Sequence, residues 1–290
     1  MGSTTERWLH ATITPPLAGT CSCPVQSLRV SAAFAGRTTP AANRRSAPRR
    51  SGYVDTVGSL PSRRRSVEIR GVVARTNERI RPVGCWALVV PVKPLALAKS
   101  RLAEVAGERR ADLALAMAAD TVEAALRPEP VATVVAVTDD DRAAKLLGDL
   151  GALVVADEPD AGLNPALRHG AAIAREHAPD VGALSADLPA LRPGVLEAVL
   201  DAASAHPHAF VPDLAGSGTT LYTATAGHAF EPRFGVDSAA RHSESGGVSL
   251  ASAAAAPLRR DVDTGADLLA AVALGVGPRT RTLVRELGIA

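Results

Sequence analysis

Cysteine is scarce in this 290-residue chain, with only Cys21, Cys23 and Cys85. Two sit in a segment without sustained apolar period and the third at its border, so the sequence supports neither a disulfide framework nor a zinc site. No run approaches the roughly 18 apolar residues of a membrane span. Pro15 and Pro16 interrupt the one early stretch that could have served as a signal peptide. The expectation is a protein of a reducing, cytoplasmic compartment with no membrane partner. Lysine is nearly missing as well, with Lys93, Lys99 and Lys145 the only three.

The net charge of +2 hides two unlike regions. Residues 1–84 hold fourteen Arg, no Lys and four acids (Glu6, Asp55, Glu68, Glu78), a net of +10. The remainder holds 18 basic and 26 acidic residues, a net of −8. Residues 1–84 are crowded with Ser, Thr, Pro and Arg, and such a composition buries too little apolar surface to offset its ordering entropy. A disordered extension is expected there, with a start codon set too early as its explanation. The rival is a basic arm for nucleic acid, a different class of function. Only Trp8, Phe34 and Tyr53 interleave its arginines as stacking groups, which disfavours that reading.

From Trp86 onward, strand-like and helix-like segments alternate. Short apolar runs at Trp86–Val92, Val131–Val137, Ala152–Val155 and Val181–Ser185 read as strands buried on both faces. Helical patterns follow each of them, over 108–126, 141–150, 165–177 (with Asn164 as the expected cap) and 193–205, where Pro193 suits a first turn. The expected fold is α/β, a doubly wound and mostly parallel sheet of Rossmann-like type. A β-rich acceptor half follows, with segments at 209–212 and 220–225, a Gly- and Ser-rich loop over 233–247, and a closing helix over 264–274 capped by Thr264.

Ligands of such sheets gather beyond the carboxyl ends of the strands, and four clusters fall there. Lys93, Lys99 and Arg101 place three cations in nine residues after the first strand, suited to a triphosphate and its leaving group. Asp187 ends the fourth strand. It suits Mg²⁺ shared with substrate phosphates, or more simply a helix cap. Asp261 and Asp263 alternate on an extended segment and so face one side; a capping role would account for Asp263 alone. Last come Gly216-Ser217-Gly218-Thr219 and Arg233–Ser238, where glycine-freed amides, hydroxyls and an Arg suit a small phosphate or carboxylate. His242, by itself, reads as a surface or loop histidine.

Taken together, PVKPLALAKSRL (91–102), ADLPAL (186–191), GSGTT (216–220), RFGVDSAARH (233–242) and DVDTGADL (261–268) resemble the CofC/FbiD guanylyltransferases. The resemblance runs from about Trp86 to Pro278 and does not cover residues 1–84. Two small departures are Ala186, where glycine is common, and Pro94 directly after Lys93. The resemblance implies a nucleotide-diphospho-sugar transferase-like fold and a guanylyltransferase of coenzyme F420 biosynthesis. Its partners would be GTP, a small phosphorylated acid and the next transferase of that pathway, with Mg²⁺ as cofactor. The Arg- and Ala-rich composition of a GC-rich bacterial gene selects phosphoenolpyruvate over 2-phospho-L-lactate. A molybdopterin or sugar-phosphate nucleotidyltransferase shares the architecture. Residue by residue, the resemblance puts Thr219, Gly235 and Ser238 on the acid and Asp187, Asp261 and Asp263 on the metal. It puts Lys93, Lys99 and Arg101 on the nucleotide phosphates as the catalytic cations, with Asn164 near the nucleotide.

Overall fold

The computed structural model describes residues 84–289. The readings made for residues 1–83 lie outside them. The strands are β1 (Trp86–Pro91), β2 (Val131–Val137), β3 (Leu153–Val155), β4 (Asp180–Leu184), β5 (His208–Pro212), β6 (Thr219–Ala224) and β7 (Val248–Ser249). The α-helices are α1 (Ala103–Ala106), α2 (Arg110–Ala125), α3 (Asp141–Asp149), α4 (Leu163–Ala174), α5 (Pro193–Ala203), α6 (Ser238–Glu244), α7 (Ala256–Arg259), α8 (Gly265–Leu274) and α9 (Pro278–Glu286).

All seven strands form one sheet in the order β3-β2-β1-β4-β6-β5-β7. β1 pairs in parallel with β2 and β4, and β2 with β3. β6 runs antiparallel to both neighbours, and β7 pairs in parallel with β5. The expected acceptor half is therefore no separate layer but an extension of the nucleotide-binding sheet.

The strand period of two divides β1 between two cores. Trp86, Leu88 and Val90 join a cluster with α2 and α5, while Ala87 and Val89 join one with α4 on the opposite face. Burying such Val and Leu side chains stabilises the fold by about 1.5–3 kcal/mol each. On the second face α4 lies almost on the sheet, because a Cβ at Gly170 would come within 2.6 Å of Val89 Cγ1. Parallel pairing aligns the carboxyl ends of β1, β2 and β4, and the β5–β6 turn falls at the same edge. The site is built there.

Some local expectations differ from the structure. The N-cap of α4 is Gly162, without a side-chain cap, since the Asn164 amide is used elsewhere. Neither aspartate reading as a cap holds. The N-cap of α5 is Arg192, and α8 is capped by Thr264 in a capping box with Asp267, which leaves Asp187 and Asp263 without that role. His242 is no loop or surface residue; it lies in α6 with 0 % exposure. The chain also does not close at α8. α9 packs beyond it, its first amides at Arg279 and Thr280 donating to the buried carboxylate of Asp120 on α2. Among the described residues no helix is long and apolar enough to cross a membrane.

Candidate active site

After β1 the chain makes a loop that is pinned from three sides. Pro94 O accepts from the Leu97 and Ala98 amides, at 2.9 and 3.1 Å. The Asp140 carboxylate accepts from Leu95 N at 2.9 Å while capping α3 through the amides of Arg142 and Ala143. Arg110 donates to the carbonyls of Ala96, at 2.7 Å, and Ala98. So fixed, the loop carries Lys93, Lys99 and Arg101 along one wall of a cavity of about 500 Å³, with Ser185, Ala186, Asp187 and Asp263 on another. Lys93 and Arg101 are exposed. Lys99 holds a left-handed backbone, φ 55, a conformation that costs a non-glycine residue energy and that collects at functional loops.

The Lys99 ammonium bridges Asp187 and Asp263, the latter at 2.6 Å. Burial works against its charge, but the two carboxylates outweigh burial and raise its pKa. Asp261 stands beside them, pushed up to about 7 by burial and then by the charges of Asp187 and Asp263. Two hydrogen bonds hold these segments: Val262 N donates to Asp187 O at 3.1 Å, and Leu188 N to the Thr121 side-chain Oγ1 at 3.1 Å.

Among the described residues no three acidic, His or Cys side chains converge in a metal-holding arrangement. The three aspartates are brought into electrostatic contact, with Lys99 between two of them. They nonetheless fit a divalent cation. Asp187 and Asp263 share the Lys99 ammonium, Asp261 feels the charge of both, and Asp187 Oδ1 is buried without a hydrogen-bond partner. An orphaned anionic oxygen amid excess negative charge is the setting in which a hard cation is bound.

Thr219, Gly235 and Ser238 come together elsewhere, off the wall of that cavity. Ser238 Oγ donates to Thr219 Oγ1 at 3.1 Å, and Thr219 Oγ1 lies 3.0 Å from His242 Nδ1. The Arg233 amide donates to His242 Nε2 at 2.9 Å. Burial, then Arg233 and Arg241, lower the His242 pKa to about 4, so the ring is neutral. The glycine-freed amides expected to hold an anion are already engaged. Gly216, Ser217 and Gly218 all donate to the Asp213 carboxylate, at 2.6, 3.1 and 2.9 Å. A Cβ on Gly218 would lie 2.3 Å from Asp213 Oδ2, so only glycine fits. What remains for an anion in this turn is hydroxyl chemistry. Asn164 does not face the cavity either. Its amide donates to Phe234 O at 3.0 Å and accepts from Phe234 N at 2.9 Å, tying α4 to the 233–237 loop.

Four residues of this frame are absent from the sequence reading: Arg110, Asp140, Asp213 and His242 in its buried role. Asp213, three positions before Gly216, carried a readable turn signal. The others act across 9 to 45 residues of sequence, on partners no local pattern identifies.

A basic loop and strand-end aspartates lie at the edge of a mixed sheet of the nucleotidyltransferase type. A crystal structure from Desulfovibrio desulfuricans G20 assigned to the nucleotide-diphospho-sugar transferases shares this fold, with a TM-score of 0.55 at 20 % identity over 70 % of this chain and 95 % of that one. The family model described as guanylyl transferase CofC like matches residues 86–290, and the chain belongs to that family. A phosphoenolpyruvate guanylyltransferase of Thermomonospora curvata is 58 % identical over 204 residues, 70 % of this chain and 90 % of the relative. One of Streptomyces coelicolor is 57 % identical over 208 residues, 71 % of this chain and 98 % of the relative.

Proposed function

We propose that this chain transfers GMP from GTP to phosphoenolpyruvate, giving enolpyruvyl-2-diphospho-5'-guanosine and diphosphate, a step of coenzyme F420 assembly in the cytoplasm. One observation carries the reading: a basic loop and an aspartate–lysine cluster share one cavity in a chain whose relatives bear that name.

The acceptor's phosphate is ionised at neutral pH, so no general base is required. Its oxygen donates a lone pair to the α-phosphorus of GTP as the bond to the bridging oxygen breaks, and diphosphate leaves with that electron pair. Lys93, Lys99 and Arg101 would hold the nucleotide phosphates, Lys99 from its position beside Asp187 and Asp263. A divalent cation, Mg²⁺ in this reading, would be held by Asp187, Asp261 and Asp263 and would neutralise charge on the transferred and leaving groups. Thr219 at the start of β6 and Ser238 at the start of α6 supply neutral donors to the acid.

Incubation with GTP, Mg²⁺ and either phosphoenolpyruvate or 2-phospho-L-lactate, with products identified by mass, tests this. The enolpyruvyl product is expected. Turnover only with a sugar phosphate or a pterin would overturn the reading. Residues 85–290 are proposed to carry the whole activity, so a chain starting at Gly84 should turn over at the full rate; an inactive one would refute this.

A further inference from the structure

The transfer chemistry makes no use of His242, yet the surroundings of this residue decide where its proton sits. The ring is buried against Tyr222, Phe234 and Phe210, with centroids 4.6, 5.4 and 5.7 Å away. A neutral imidazole has one N–H and one bare nitrogen. The Arg233 backbone amide, 2.9 Å from Nε2, can only donate, so Nε2 is the bare nitrogen and the proton is on Nδ1.

The consequence is a proton count. His242, Thr219 and Ser238 are joined by two hydrogen bonds. With the imidazole proton on Nδ1, three protons serve two links and one hydroxyl proton is left over. With the opposite tautomer, both hydroxyl protons would be consumed within the trio and no donor would remain for a ligand.

We propose that His242 is a positioning residue whose Nδ1–H, set by the Arg233 amide, donates into the Thr219–Ser238 pair and turns one hydroxyl proton outward for an anionic oxygen of the acceptor acid. The inference rests on the assignment of Thr219 and Ser238 to the acid; the tautomer itself does not depend on it. Tying the ring to the backbone of the 233–237 loop makes the donor a built-in property of the fold.

Two measurements on the full chain test it. In protein labelled with ¹⁵N-histidine, long-range proton–nitrogen correlation should show a pyrrole-type Nδ1 and a pyridine-type Nε2 for His242, identified by the peak missing from His242→Phe. An Nε2–H or doubly protonated ring would overturn the proposal.

Kinetics separate donation from loop anchoring. His242→Phe keeps an aromatic ring but neither nitrogen, and should raise KM for phosphoenolpyruvate about tenfold, with KM for GTP and kcat moved less than about twofold. In His242→Asn the amide N–H stands near the place of Nδ1 and should recover most of the loss. In His242→Gln the amide reaches toward Arg233 instead and should not. Recovery by Gln and not Asn would reduce His242 to a loop anchor and sink the inference, as would an unchanged KM for the acid in His242→Phe. Ser238→Ala run in parallel tells the two failures apart. A raised acid KM there beside an unaffected His242→Phe refutes only the role of His242. If neither moves it, the acceptor assignment fails and this inference with it.

Discussion

Around Lys99 the protein gathers formal charges, three aspartates and an ammonium on a partly open wall. Around His242 the buried groups are neutral, two hydroxyls and an uncharged imidazole, with the charges of Arg233 and Arg241 outside them. The first arrangement suits a triphosphate, whose charge is large and changes during transfer, because strong fields are needed and water supplies part of the screening. The second suits a small anion that must be oriented and distinguished from its analogues. Buried neutral donors discriminate by being left unpaired with the wrong ligand, while burying no charge of their own. In each region a non-glycine residue takes a left-handed backbone, Lys99 with φ 55 and Asp237 with φ 52.

The comparison breaks first if charge at Asp187 proves dispensable. Asp187→Asn keeps the shape and removes the anion, and kcat should fall by about 10²–10³ while the thermal transition stays in place. A near-normal kcat at ordinary Mg²⁺ concentrations would remove Asp187 from the metal site.

A crossed pair of substitutions comes next. Lys99→Ala should raise KM for GTP by roughly ten- to a hundredfold and leave the acid alone, and Ser238→Ala should do the reverse, each losing a hydrogen bond to a charged group. The opposite pattern, read from KM for each substrate, would mean the two regions have been assigned the wrong way round.

The contrast in ionisation has its own test. The folded pKa of His242, about 4, lies below the unfolded value near 6.5, so its contribution to stability is complete above pH 6.5 and lost as pH falls toward 4. At pH 5 that loss is about 2 kcal/mol relative to pH 7. Asp261, raised to about 7, acts in the opposite sense over the same window, gaining stability as pH falls. The quantity to measure is therefore the stability difference between wild type and His242→Phe, by urea unfolding. It should shift by about 2 kcal/mol in favour of the variant between pH 7 and pH 5. A difference that does not change with pH would mean the ring is not held neutral.

The smallest effect sharpens the boundary between the regions. Asn164→Ala loses the clamp on Phe234 and should cost about 1 kcal/mol, seen as a few-fold rise in KM for phosphoenolpyruvate. A rise in KM for GTP instead would return Asn164 to the nucleotide, where the resemblance put it.

The repeating parts of the fold were legible from Trp86 onward. A buried strand declares itself by an unbroken apolar run, and VATVVAV needed no partner to be recognised. Lys99 and Asp187 stood out because cations and carboxylates at strand ends make poor core residues. α9 escaped notice because its anchor is Asp120, more than 150 residues earlier in the chain. The role of Asn164 went unseen for a similar reason, since Phe234 lies 70 residues on. A carboxylate or an amide has the same local pattern whether it binds a ligand or ties down a loop, and only the identity of its partner separates the two.

The sequence by itself determined the chemistry available at the strand ends and the alternation that builds the sheet, since both follow from residue type and local spacing. Tertiary structure alone decided how those groups are used. It placed Lys99 between Asp187 and Asp263, tied Asn164 to Phe234, and buried His242 with its proton on Nδ1. The physical reason is that a hydrogen bond or an ion pair belongs to two groups at once. Residues 88 or 164 positions apart in the chain meet only when the whole fold has formed.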